Sequence, residues 1–251
     1  MSNRDIVVAA VRDLFGTAGA EAVDRWVAPD YRQHSALAAD GQDGLRKLLE
    51  NLPTGFSYDP VRVLADGDLV ALHGIYHGIG TQPQVAFDIF RVADGLLAEH
   101  WDGLTPQVNR TVSGRSQTDG PTTVTEPGKT EDNRALVSDF ARQVLIGADY
   151  GVLTDFISTT EYDQHNPEAA DGLDGFGAAA ATWAGQGKNL DYTTVHKTIA
   201  DGDFVLLQSE GTFGVPVVYY DLFRVADGKI IEHWDVIAPI PDKLPHDNGV
   251  F

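Results

Sequence analysis

Asp88, His100 and Asp102 put two carboxylates and an imidazole within fifteen residues, and the set recurs as Asp221, His233 and Asp235. An imidazole titrates near neutrality, which suits reversible proton abstraction from carbon, and a solvated strand face would not need such a group. The plainer alternative is a polar strand face whose residues only bond each other.

These residues lie in two near-identical stretches, Asp88-Ile89-Phe90-Arg91-Val92-Ala93-Asp94-Gly95 leading to Glu99-His100-Trp101-Asp102, and Asp221-Leu222-Phe223-Arg224-Val225-Ala226-Asp227-Gly228 leading to Glu232-His233-Trp234-Asp235. Each reads as a hairpin whose turn decides which side chains share a face. A three-residue Ala93-Asp94-Gly95 loop pairs Val92 with Leu96 and sets Asp88 opposite His100, with Asp88, Phe90, Ala98, His100 and Asp102 on one face. A two-residue Asp94-Gly95 turn would set Asp88 opposite Trp101 and part the carboxylate from the imidazole. The first register is the expected one; it leaves Arg91, Glu99 and Trp101 on the other face.

Three further positions are candidates. His34 and His165 follow Tyr-x-Gln at the junction of early helices and an Ala-Asp-Gly-x-x-Gly segment, and could reach a cavity or merely brace a loop. His73 sits mid-strand among Leu69, Ala71, Ile75 and His77, where a satisfied core histidine is the plainer reading; its counterpart is Gln208. Three imidazoles, His34, His73 and His100, could also supply a metal site in the first half, although none has close metal-type spacing.

The elements that must position these groups come in the same order twice. Helical spacing marks Ile6 to Phe15 and Leu136 to Leu145, then a short helix at Ala22 to Trp26 stopped before Pro29, then a helix from Gly44 to Leu52 with a counterpart from Gly175. Strands follow at Val61 to Leu64, Leu69 to His77, Val85 to Val92 and Leu96 to Leu104. Helices followed by antiparallel hairpins imply an α+β fold, with a curved sheet closing over the helices around a pocket. The offset between copies is 131 residues at His34 and His165 and 133 at His100 and His233, so one domain has been duplicated. The expected organisation is a first domain over 1–106, a Thr/Ser/Gly/Pro-rich linker over 107–132 and a second domain over 133–251, the two paired as an intramolecular pseudo-dimer. Further association of whole chains is left open.

Composition narrows the partners. A formal charge of −19 disfavours phosphate backbones and anionic membranes as partners. Zero cysteines exclude disulfides, thiolate ligands and a cysteine nucleophile. No stretch is long and apolar enough to cross a bilayer, and the first twenty residues are broken by charges, so a soluble, cytoplasmic protein with a small-molecule substrate is expected.

With Tyr-x-Gln-His, Ala-Asp-Gly-x-x-Gly, Asp-x-Phe-Arg and Glu-His-Trp-Asp in this order, both copies resemble the SnoaL-like polyketide cyclases, within the nuclear transport factor two-like group that includes ketosteroid isomerase. The resemblance implies two cone-shaped α+β barrels and cofactor-free acid/base chemistry on an enolisable, polyketide-like carbonyl compound in secondary metabolism, by cyclisation or isomerisation. It places Asp88 and Asp221 at the pocket aspartate that donates to an enolate oxygen, and His34 and His165 near the slot of the general base. His100 and Asp102, with His233 and Asp235, fall on the last cone-lining strand, Asp102 orienting His100. Because the fold also hosts receptors and scaffolds, a non-catalytic binding protein is the main alternative.

Overall fold

The computed structural model describes residues 1–251. Two compact units result: Met1–Gln107 with Pro241–Phe251, and Val108–Ile240. The expected 107–132 linker therefore belongs largely with the second unit, and the last eleven residues belong with the first. Both segments are anchored by hydrogen bonds. Val112 N donates to Pro167 O (3.0 Å) and Ser113 Oγ to Gln164 O (2.7 Å), while Asn248 Nδ2 donates to Gln33 O (3.0 Å).

In the first unit, helix α1 (Asn3–Leu14) starts at a reciprocal cap between Ser2 and Asp5 and buries Ile6, Val7, Ala10, Val11 and Leu14. A 3₁₀ turn (Gly19–Ala22) leads into α2 (Val23–Trp26), then strand β1 (Val27–Gln33) and helix α3 (Gly41–Glu50). Strands β2 (Ser57–Asp66), β3 (Leu69–His77), β4 (Gln84–Ala93) and β5 (Leu96–Pro106) complete a sheet of order β1-β5-β4-β3-β2. The helices cover one face of the sheet, where Val11, Leu45, Leu72, Phe90 and Leu97 share a core.

The second unit repeats the plan. Helix α4 (Thr130–Phe140) runs into a π-helical turn (Ala141–Ile146), followed by α5 (Leu153–Phe156), β6 (Asp163–Gln164) and α6 (Gly172–Gly185). Strands β7 (Asp191–Asp201), β8 (Phe204–Thr212), β9 (Pro216–Ala226) and β10 (Lys229–Pro239) give the order β6-β10-β9-β8-β7.

The α+β class holds, with one addition. Strands β1 and β6 run parallel to β5 and β10, where only antiparallel hairpins were expected. The Tyr-x-Gln-His words lie at the ends of these strands, which depend on partners some 67 residues away and carry little apolar alternation of their own. The Ala-Asp-Gly-x-x-Gly words bind the next helix to them. Asp40 Oδ1 accepts from Gln33 N (2.8 Å) and Asp171 Oδ1 from Gln164 N (2.9 Å). A Cβ on Gly44 or Gly175 would fall 1.9 Å from Ala39 O or 2.5 Å from Ala170 O, so only glycine lets the helix start this close to the loop.

Candidate active site

The closing hairpin combines both expected registers. Its turn is the two-residue Asp94-Gly95, both with positive φ (51° and 80°), and Ala93 pairs with Leu96. A bulge then absorbs Ala98, so Arg91 pairs with Glu99 and Asp88 faces Asp102 instead of His100. One extra residue cancels the one-residue change in the turn, and Asp88, Phe90, His100 and Asp102 still share the helix-covered face. In the second unit Asp227-Gly228 and Ile231 play the same parts, and Asp221 faces Asp235.

His100 is the hub of the first site. Its Nδ1 lies 2.9 Å from Gln33 Oε1 and its Nε2 3.1 Å from Asp88 Oδ1. Gln33 is itself fixed, Nε2 donating to Tyr31 OH (3.2 Å) and Oε1 accepting from Ser35 N (3.0 Å). Both ring nitrogens of His100 thus face oxygen atoms that can accept. Fully buried Asp88 also accepts from the phenols of Tyr58 and Tyr76, each at 2.9 Å. Burial, with the phenolates' repulsion from Asp88, pushes both tyrosines well above their ordinary range, so they stay donors.

Asp102 is treated differently. Burial first, and repulsion from Asp88 next, outweigh the attraction of His100 and a hydrogen bond from Ser35, raising its carboxyl to about 6. The second unit repeats this: His233 lies between Gln164 Oε1 (3.1 Å) and Asp221 Oδ1 (3.1 Å), and Tyr192 OH donates to Asp221 at 3.2 Å. Asn166 Nδ2 donates to Asp235 at 2.6 Å, yet burial and Asp221 still raise that carboxyl to about 6. Burial opposes charge on His233, but the hydrogen bond to Asp221 and the charges of Asp235 and Asp221 win, and its pKa rises.

Each set opens on a cavity. In the first unit His100, Asp102, Gln33 and Ser35 line a cavity walled mainly by Leu, Phe and Tyr side chains. In the second, Asp221, His233 and Asp235 line the corresponding cavity. In each unit the three groups offer ligand atoms within 4.8 Å of one another, enough to hold a metal ion. The facing atoms of His100 and Asp88 are already engaged with each other.

His34 and His165 do not reach the cavities. Strand alternation turns Tyr31 and Gln33 inward and His34 to the opposite face, where its Nε2 meets Glu99 Oε1 (2.9 Å), its Nδ1 donates to Gly249 O (3.0 Å) and its ring stacks on Trp101. His165 does the same with Glu232 (2.9 Å), Ser116 O (2.7 Å) and Trp234. The base role expected for them has no geometry behind it. His73 also faces away: it pairs with Phe87, stacks on it at 4.3 Å and accepts from Arg62 (3.1 Å). Gln208 on β8 is likewise outward, bonded to Lys197 and Tyr220. The three imidazoles His34, His73 and His100 therefore do not converge on a metal. The polar residues that do meet the hub and were missed are Gln33, Ser35, Tyr58 and Tyr76, with Gln164, Asn166 and Tyr192. Reading Tyr31 to Ser35 as a strand would have exposed the first two, because alternate residues of a strand share a face.

The family comparison agrees with this duplication. The family model for the SnoaL-like domain matches residues 8–100 and again 140–233. No curated protein matches the chain. Among solved structures it is similar to IdmH of Streptomyces antibioticus, described as a candidate polyketide cyclase (19% identity, 41% of this chain and 92% of that one, TM-score 0.36). It is also similar to a candidate ketosteroid isomerase of Kribbella flavida (21%, 49% and 90%, TM-score 0.38) and to an NTF2-like protein of unknown function from Cytophaga hutchinsonii (16%, 42% and 92%, TM-score 0.38). No helix is long and apolar enough to cross a membrane. Two tandem matches spanning most of the sequence establish that the chain belongs to the SnoaL-like domain family.

Proposed function

We propose that the chain is a cofactor-free acid/base enzyme acting on an enolisable carbonyl compound of polyketide type, by aldol-type cyclisation or isomerisation. The observation that carries this reading is the division of labour between opposed carboxylates. Asp88 is held by Tyr58, Tyr76 and His100, while Asp102, its carboxyl raised to about 6, stands at the wall of an apolar cavity; in the second unit Asp221, held by Tyr192 and His233, stands opposite Asp235 in the same way. A base whose pKa lies near the working pH is the efficient one.

As carboxylate, Asp102 takes the α-proton, the C–H electron pair becomes the new C=C bond, and the carbonyl oxygen takes the negative charge. His100, its ring protons directed to Asp88 and Gln33, offsets that charge electrostatically in a dry site. In isomerisation Asp102 returns the proton to another carbon. In cyclisation the enolate carbon attacks a second carbonyl of the same chain, and Asp102 protonates the alkoxide formed. Apolar walls keep the chain folded, which itself supplies part of the rate. Asp235 and His233 have the same roles in the second unit.

The test is α-deuterium incorporation into the methyl ketones 2-nonanone and 2-acetonaphthone in D₂O, followed by NMR. Exchange above buffer is expected, falling on the order of 10²- to 10⁴-fold in the Asp102→Asn/Asp235→Asn double variant and unchanged by chelator. No acceleration, or acceleration that survives the double variant, overturns the reading.

A further inference from the structure

The segment after β5 and the segment after β10 are equivalent arms that serve opposite copies. Residues from Val108 onward belong with the second unit, and Pro241–Phe251 belong with the first, so each arm packs on the copy it does not follow in sequence. The exchange is reciprocal.

Both arms grip the same place. The 133-residue offset that relates His100 to His233 also matches Asn248 with Arg115 and Gly249 with Ser116. Asn248 Nδ2 donates to Asp40 Oδ1 (2.7 Å) and Arg115 Nε to Asp171 Oδ1 (3.1 Å), the two carboxylates that accept from Gln33 N and Gln164 N. Asn248 Nδ2 also donates to Gln33 O (3.0 Å), as Ser113 Oγ does to Gln164 O (2.7 Å). Each glutamine is therefore fixed at its amide and at its carbonyl.

Those glutamines carry the side chains that meet the hub. Gln33 Oε1 lies 2.9 Å from His100 Nδ1, and Gln164 Oε1 lies 3.1 Å from His233 Nδ1. Two residues past Gln33, His246 Nε2 of the arm donates to Ser35 O (2.9 Å). Burial raises the Asp102 carboxyl, and His100, the hydrogen bond from Ser35 and attraction to His246 pull it back. Displacing such a group by about 1 Å costs on the order of 10²-fold in rate.

We infer that the two arms are exchanged positioning elements: Asn248 sets the Gln33, His100 and Asp102 group of the first unit, and Arg115 with Ser113 sets the Gln164, His233 and Asp235 group of the second. Each acid/base group is thus held by the segment that follows the other copy's last strand. The inference rests on the catalytic reading of these groups, but ring-nitrogen NMR reads it without turnover.

Deuterium exchange into 2-nonanone by the intact chain separates the two sites, because Asp235→Asn leaves only the first base and Asp102→Asn only the second. Asn248→Ala should slow exchange on the order of 10- to 100-fold beside Asp235→Asn and leave it within about twofold beside Asp102→Asn. Arg115→Ala should do the reverse. With the Ser35 bond loosened, the midpoint of the first site's pH profile should also move upward. In protein labelled at the histidine ring nitrogens, Asn248→Ala should shift the signals of His100 and leave those of His233, and Arg115→Ala the converse. If either variant does not fold, His246→Ala and Ser113→Ala, which each remove one bond, should give the same split with losses of about threefold. Equal losses at both sites, unchanged exchange in every combination, or His100 signals unmoved by Asn248→Ala overturns the inference. A natural chain without exchange would sink the catalytic proposal alone, and the ring signals would then decide this one.

Discussion

Asp88 and Asp102 stand directly opposite each other on β4 and β5, and one imidazole, His100, separates their fates. Asp88 receives two phenols and His100, whereas Asp102 faces the cavity with its carboxyl raised to about 6. Burial and the neighbouring Asp88 hold the Asp102 carboxyl up, while the donors gather on Asp88.

The pH profile follows from this asymmetry. If Asp102 and Asp235 are the bases, exchange should rise through pH about 6 and then level off. Stability should move the other way. A carboxyl raised from 3.8 to about 6 on folding favours the folded state below pH 4, and that benefit is lost as pH climbs through 6. At pH 7 the cost is about 3 kcal/mol for Asp235 at 1.36 kcal/mol per unit. Asp235→Asn should therefore gain on the order of 1–3 kcal/mol at pH 7 and little at pH 4, measured by urea unfolding at both pH values.

The phenols set how firmly the charged carboxylate is held. Asp88 has Tyr58 and Tyr76, but Asp221 has Tyr192, while the phenol of Tyr219 turns to Thr212 O (2.6 Å). Tyr192→Phe should cost more stability than Tyr76→Phe, with losses of about 1.5–3 kcal/mol for a hydrogen bond to a charged group. Equal losses in chemical denaturation would contradict this.

His34 should prove structural. His34→Ala removes a stacked, doubly bonded side chain that ties Glu99 to Gly249 and should lower stability by about 2 kcal/mol or more. Deuterium exchange per folded molecule should stay within a factor of two or three of the natural chain. A loss of two orders of magnitude in a folded variant would restore it as a base.

The bulge is equally open to test. Deleting Ala98 should run the two-residue turn into an unbroken ladder that keeps Arg91 opposite Glu99 and Asp88 opposite Asp102, so His100 and Asp102 stay on the helix-covered face. Exchange within a factor of about two or three of the natural chain is expected for the folded variant, read by NMR, because the facing of both groups is kept. A folded deletion variant that loses exchange by two orders of magnitude would show that the site depends on the bulge itself and not only on the pairing beyond it.

Much of this could be read without coordinates because it is local or repeated. The duplication, α1 and α3, the span Leu69 to His77 and the shared face of Asp88, His100 and Asp102 all follow from periodicities of 3.6 and 2 and from turn residues. The Ala-Asp-Gly-x-x-Gly segment was visible as a repeated motif, but its role in clamping Gln33 and Gln164 was not.

What tertiary structure decided was facing and partnership. His34 lies outside the cavity because Tyr31 to Gln33 join a parallel strand whose partner is far along the chain, and no short window of sequence encodes that pairing. The turn and bulge of the hairpin cancel, so the correct face emerged from a register that differs from the expected one. Which carboxylate gathers donors and which faces the cavity depends on Tyr58, Tyr76 and Gln33, brought together only when the sheet curls over the helices. Local pattern fixes which residues share a strand face; long-range pairing and burial fix what that face meets, and the chemistry depends on both.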